Sequence, residues 1–134
     1  MVLGLELGMI QNDVIKVIGT PVSKKIAKDQ SRVHNEIWFY KGFRIKFQNL
    51  TSQDTIELCS IMILSQDIPL ELDIKIGTSF QKAKTILMKK FKVYSDDNSS
   101  IQFEFRYGKF MGGIIELESE KGLINKITIC RNDD

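Results

Sequence analysis

The residues able to do chemistry are few and scattered. His34 is the single histidine among 134 residues, and imidazole is the side chain whose ordinary pKa suits proton transfer near neutral pH. It stands at a strand entrance among polar residues, with no Gly-X-Ser-X-Gly or other nucleophile pattern beside it, so it reads as a surface histidine. Cys59 and Cys130 lie in apolar, strand-like runs, the setting of reduced, partly buried thiols. Two cysteines and one histidine leave a tetrahedral zinc site short of ligands unless carboxylates join it. Asp96-Asp97-Asn98 begins like a calcium loop but lacks the later Gly and Glu at the required spacing, and reads as a turn. Met111-Gly112-Gly113-Ile114 is too short to cradle phosphates, and no Gly-X-Gly-X-X-Gly or P-loop pattern occurs. Glu116, Glu118 and Glu120 alternate on one strand face, as a solvated edge does. The expectation is therefore a non-enzyme with no catalytic residue, no cofactor and no metal site.

Binding chemistry remains. The chain carries 19 basic and 17 acidic residues, a net charge of +2. That balance implies nucleic acid only if the charges are sorted onto one face. The segment from Lys82 to Lys92 does hold five lysines and no acid, namely Lys82, Lys84, Lys89, Lys90 and Lys92. It is the alternative candidate, an RNA- or anionic-surface-binding module, although a solvated helix face explains it as well. Arg106-Tyr107-Gly108-Lys109-Phe110 does not match the RNP1 pattern of RNA-binding sheets.

The elements that position these residues follow from periodicity. Gly8 ends a short extended entry. Ile10, Val14, Val17 and Ile18 then form one helical stripe, stopped by Gly19-Thr20-Pro21. A strand is expected near Val22–Ala27. Asn35–Tyr40 and Phe43–Phe47 alternate around Lys41-Gly42, a hairpin. Ile56–Leu64 is a further strand with Ile61 and Ile63 on one side and Ser60 and Met62 on the other. A second helix opens at Thr78 through a capping box with Gln81 and buries Phe80, Ala83, Leu87 and Phe91. Residues 92–95 form a short strand. Ile101–Tyr107 alternates, Gly108-Lys109 turns the chain, and Phe110–Glu118 and Leu123–Cys130 follow as strands. Gly112-Gly113 marks a bulge or a close backbone approach.

Leu5–Pro21 and Ile74–Phe91 share an apolar-X-apolar-Gly entry and a following amphipathic helix. Setting Leu7-Gly8 on Ile76-Gly77 aligns Val14 with Ala83, Val17 with Ile86 and Ile18 with Leu87. The expected fold class is α+β: a single domain over residues 1–134, an antiparallel sheet with short helices on one face. It is built as two tandem helix–hairpin–strand repeats, about 5–64 and about 74–130.

Antiparallel sheets commonly leave one face to solvent. Phe43, Ile45 and Phe47, and likewise Ile101, Phe103, Phe105 and Tyr107, are expected under the helices. Ile37 with Phe39 makes an aliphatic-plus-Phe core pair, which sends Trp38 and Tyr40 to the open face. That face then carries Trp38, Tyr40, Arg44, Lys46, Glu104 and Arg106. Trp, Tyr and Arg are the residues that most often dominate binding at protein interfaces, so these six are the candidate partner-binding residues.

The Leu7-Gly8…Val14…Ile18-Gly19-Thr20-Pro21 pattern, followed by a Trp/Tyr hairpin, resembles the repeat unit of the β-lactamase-inhibitor-protein-like fold. The second copy keeps Gly77 but has Met88-Lys89-Lys90 in place of the Gly-X-Pro. The resemblance implies binding of another protein through the sheet face and adjacent loops. The start, Met-Val-Leu-Gly-Leu-Glu-Leu-Gly, has no basic region or long apolar core of the kind a signal segment needs. No run approaches the ~20 apolar residues of a membrane span. A cytoplasmic protein without membrane attachment is expected. With the resemblance, that looks like a bacterial immunity protein, an inhibitor that blocks a cognate toxin by steric occlusion and needs no catalytic residues.

Overall fold

The computed structural model describes residues 2–28, 34–49, 55–107 and 112–132. Eight strands form one antiparallel sheet, with two short helices: α1 (Gln11–Ile18), β1 (Ser23–Lys28), β2 (His34–Tyr40), β3 (Phe43–Asn49), β4 (Ile56–Ile63), α2 (Phe80–Met88), β5 (Lys92–Asp96), β6 (Ser100–Arg106), β7 (Gly112–Glu120) and β8 (Leu123–Asn132). The order across the sheet is β1-β2-β3-β4-β8-β7-β6-β5. Each helix precedes a four-stranded meander, and the meanders join where β4 pairs with β8, Ile61 opposite Ile129 and Ile63 opposite Ile127.

One face of the sheet holds the core. Ile45, Phe47, Ile61 and Ile63 of the first meander and Ile101, Phe103, Ile115, Leu117, Ile127 and Ile129 of the second are buried in one cluster with Val14 of α1 and Phe80, Ala83 and Leu87 of α2. Burying each large side chain contributes about 1.5–3 kcal/mol, which these helices of 8 and 9 residues need, because isolated helices so short do not persist in water. Val2, Leu5 and Leu7, and Ile68, Leu70 and Ile74 from the connection between meanders, complete the covering layer.

Gly8 and Gly77 hold the two helix entries in the same way. Both have φ +93. The Gly8 amide donates to the Leu58 carbonyl at 2.8 Å, and the Leu58 amide donates to Met9 at 2.8 Å. The Gly77 amide donates to Ile124 at 2.8 Å, and the Ile124 amide donates to Thr78 at 2.9 Å.

Two local expectations are corrected. In α1 the buried stripe runs through Val14, with Ile15 and Ile18 partly buried, while Ile10 and Val17 are 41% and 47% exposed. Ile10 bridges Glu57 of β4 before the helix begins, and this turns Gln11, not Ile10, toward the sheet. In α2 the N-cap is Ser79, whose hydroxyl accepts from the Lys82 amide at 3.4 Å. The Thr78 hydroxyl is engaged by the Lys75 amide at 3.1 Å, so it does not cap the helix. The expected Gly108-Lys109 turn and the start of its strand at Phe110 and Met111 lie outside the described residues.

Candidate partner-binding surface

The face away from the helices carries no covering element among the described residues. Strand alternation and register place its side chains in two rows that cross all eight strands. The first runs Ser23, Phe39, Arg44, Met62, Thr128, Glu116, Gln102 and Ser95. The second runs Lys25, Ile37, Lys46, Ser60, Cys130, Ile114, Glu104 and Lys92. Arg106 and Gly112 lie one step further along β6 and β7 on the same face.

The charges on this face are unequally shared. The first meander presents Lys25, Arg44 and Lys46 in the two rows, and the second presents Glu104 and Glu116 with Lys92. Arg44 Nε lies 3.2 Å from the Met62 sulfur. Glu116 accepts from Gln102 Nε2 at 2.6 Å, and Lys126 pairs with Glu118 at 3.0 Å. Gln48 Nε2 donates to Asn35 Oδ1, and Arg131 donates to Gln48 Oε1 at 3.2 Å. Near the β5 margin an open cleft of about 450 Å³ is lined in part by Lys92, Glu104, Arg106 and Gly112.

Four of the six expected residues, Arg44, Lys46, Glu104 and Arg106, lie on this face. They are not one cluster. The β3 pair and the β6 pair are separated by β4, β8 and β7, four spacings of about 4.8 Å or roughly 19 Å. Trp38 and Tyr40 are on the opposite, helix-covered side, and this corrects the expected orientation of β2. Trp38 is 1% exposed, packs its ring on Phe47 with centroids 4.6 Å apart, and has Lys24 Nζ 4.5 Å from its own ring centre. Tyr40 stacks on Phe43 at 4.8 Å, and its hydroxyl donates to the Gly19 carbonyl at 2.8 Å. Burial pushes the Tyr40 phenol upward. The core takes Trp38 because an indole buries more apolar area than an isoleucine, provided its N–H finds a partner.

That partner is Glu36, 7% exposed. Its carboxylate accepts from Trp38 Nε1 at 2.5 Å, Gln11 Nε2 at 2.9 Å and His34 Nε2 at 3.1 Å. Burial pushes its pKa up, but the hydrogen bonds from Trp38, His34 and Gln11 and the charge of His34 outweigh it and hold the carboxyl below the usual glutamate range. His34 is thus half-buried and engaged, not the surface histidine the sequence suggests. With all three donors in place, this network ties α1 and Trp38 to β2.

The basic segment is not one free stripe. Lys84 pairs with Asp96 at 2.8 Å, Lys90 lies 5.4 Å from the Phe91 ring centre, and Lys92 is on β5 opposite Glu104. Cys59 is buried and Cys130 partly buried, and neither is in a disulfide. No group of three or more His, Cys, Asp or Glu able to hold a metal occurs among the described residues. No helix among them is long and apolar enough to cross a membrane.

The apolar residues of this face that sequence reasoning missed are Ile37 and Phe39, both half-buried, and Ile114, which is buried; Met62 lies on the side expected for it. The available signal was weak, since residues 37–40 are apolar on both alternations. The chain matches no family model, no curated protein and no solved structure.

Proposed function

We propose that the protein is a protein-binding inhibitor, an immunity protein that neutralises a cognate bacterial toxin by steric occlusion through the uncovered face of its sheet. The observation that carries this reading is the pair of side-chain rows. They set half-buried apolar residues (Ile37, Phe39, Met62) among Arg44, Lys46, Glu104 and Glu116 on a rigid surface. Apolar centres framed by arginine and other polar groups are what protein interfaces use. Seven spacings of about 4.8 Å make the sheet roughly 34 Å wide. A standard interface needs about 800 Å² from each partner, roughly a tenth of the total surface of 8182 Å².

The two halves are read as copies of one unit, in keeping with the resemblance to the β-lactamase-inhibitor-protein-like repeat. The matched φ values and bond patterns at Gly8 and Gly77 support this, as does the symmetric strand order. Each copy contributes one pair of the charged face residues, Arg44 and Lys46 from the first and Glu104 and Arg106 from the second.

The test is growth protection. The product of the adjacent open reading frame is expressed with or without this chain. The wild type restores growth, and the double variant Arg44→Glu, Lys46→Glu, made to equal soluble levels with an unchanged circular dichroism spectrum, does not. A harmless neighbouring product, or full protection by the double variant, overturns the proposal.

A further inference from the structure

The sheet has two edges, β1 and β5, and they are not equivalent. In β5 the pairing with β6 shifts register between Val93 and Ser95, and Asp96 is tied to Lys84 of α2. A bulge of this kind spoils an edge as a template for another strand. In β1 the register with β2 runs without interruption from Ser23 to Lys28.

The direction of the free backbone groups of β1 follows from two hydrogen bonds. The Leu64 amide donates to the Gly42 carbonyl at 2.9 Å, which makes Gly42 and then Arg44 the residues that bond to β4. Phe43 and Ile45 therefore bond to β2, through Tyr40 and Trp38. Alternation leaves Phe39, Ile37 and Asn35 bonding to β1. The Phe39 carbonyl does accept from the Val22 amide at 2.8 Å. Their partners are Ser23, Lys25 and Ala27. The amides and carbonyls of Lys24 and Ile26 thus point outward, away from the sheet.

The side chains there combine exposed apolar groups with lysines, which discourage pairing with another basic strand. Val22 is 84% exposed and Ile26 58% exposed. Lys24 and Lys25 supply positive charge on opposite faces of the strand, and β1 contains no acidic residue. Neither lysine has an ion pair among the described residues. A second copy of this chain is a poor occupant: antiparallel pairing of two β1 edges about Lys25 would set the two Lys25 side chains opposite each other, and like charges so placed are destabilising.

We infer that β1 is a docking edge for an extended acidic segment of a partner protein, which adds a ninth strand through the outward backbone groups of Lys24 and Ile26. Main-chain bonds of this kind supply affinity, and alternate side chains supply selectivity. The segment sets carboxylates beside Lys24 and Lys25 and an apolar residue beside Ile26. This edge adjoins the open face, sharing Lys25 with its second row, but its outward backbone groups are a separate feature and the inference stands without the proposed function.

The test needs no cognate partner. The probe is a blocked extended peptide of glutamate, threonine and valine, compared with the same peptide bearing lysine for glutamate. Binding to the full chain is followed through the amide signals and hydrogen exchange of the protein. The acidic peptide should slow exchange at Lys24 and Ile26 and bind about tenfold more tightly than its lysine counterpart, from two exposed ion pairs gained in one case and repelled in the other. Ile26→Pro removes an outward donor while leaving the pairs with β2, an edge position that tolerates proline, and should abolish the exchange protection. Lys24→Glu with Lys25→Glu should reverse the peptide preference, and keeps the inference testable if the proline variant misfolds. No protection at Lys24 and Ile26, equal affinity for both peptides, or binding that survives Ile26→Pro in a folded protein overturns it.

Discussion

Gly113 is where one methyl group should be felt most. It sits opposite Phe105 across the β6–β7 ladder. A Cβ built there would lie 2.4 Å from Cζ, 2.6 Å from Cε1 and 2.9 Å from Cε2 of the Phe105 ring. All three atoms belong to the Phe105 ring, 9% exposed and part of the core cluster, so making room for the methyl group shifts the ring out of its packed position. Gly113 has no left-handed φ, which makes the penalty of Gly113→Ala steric. Replacing glycine in a compatible conformation gains about 0.4–1 kcal/mol through the unfolded chain, and overpacking a filled site costs about 1–3 kcal/mol. The expected net loss is about 1–2 kcal/mol, read as a lower urea midpoint at unchanged slope. Phe105→Leu deletes all three contacting atoms. In the Gly113→Ala background it should therefore cost less than in the wild type, with a coupling of about 1–3 kcal/mol in a double-mutant cycle. A neutral Gly113→Ala, or two effects that add within about 0.5 kcal/mol, would refute the close approach.

Two further perturbations test the supporting structure. Glu36 has a folded pKa held below its unfolded value, so the stability it contributes is present above the ordinary glutamate pKa of about 4.3 and is lost as pH falls through the lower folded value. The stability gap between wild type and Glu36→Gln, measured by urea unfolding, should be largest near neutrality and shrink below that pH; a gap independent of pH would contradict the assignment. Ser79→Ala should lower stability by about 0.5–1 kcal/mol as a lost N-cap, while Gln81→Ala, which removes no capping bond among those described, should change it by less than about 0.5 kcal/mol. The reverse order would restore the Thr78–Gln81 capping box.

Period-two patterns made much of the sheet legible. Phe43, Ile45 and Phe47, and Ile61 with Ile63, take the expected side because their neighbours Arg44, Lys46 and Ser60 differ from them in polarity. Gly19 ends α1 through its own left-handed φ of +80 and a bond to Ile15 at 2.8 Å, a purely local event. Gly112-Gly113 reads in the sequence as a bulge or a close backbone approach; the ladder with β6 runs there without a bulge, and it is the Phe105 ring that comes close to Gly113. The orientation of β2 was not legible. Ile37-Trp38-Phe39-Tyr40 is apolar on both faces, and the choice rests on Phe47 across the ladder and on Glu36, itself fixed by Gln11, 25 residues away. Such buried polar networks leave no periodic trace. The α1 stripe was misplaced for a related reason: Ile10 looks like a helix residue, yet its backbone is spent on a bridge to Glu57. Thr78 and Ser79 are both capping types, and the Lys75 amide, which engages the Thr78 hydroxyl, leaves no periodic trace in the sequence.

The open face is the central claim, and affinity for the partner tests it most directly. Once the neighbouring gene product is purified with this chain, its Kd is measured for the wild type, for Phe39→Ser with Arg44→Ala on the open face, and for Val17→Ser on the exposed side of α1. Losing an apolar anchor and an arginine of an interface typically costs about 2–4 kcal/mol, a weakening of roughly 30- to 1000-fold. The account predicts that loss for the open-face variant and an unchanged Kd for Val17→Ser. An open-face variant that binds like the wild type, or a Val17→Ser variant that does not, would contradict it.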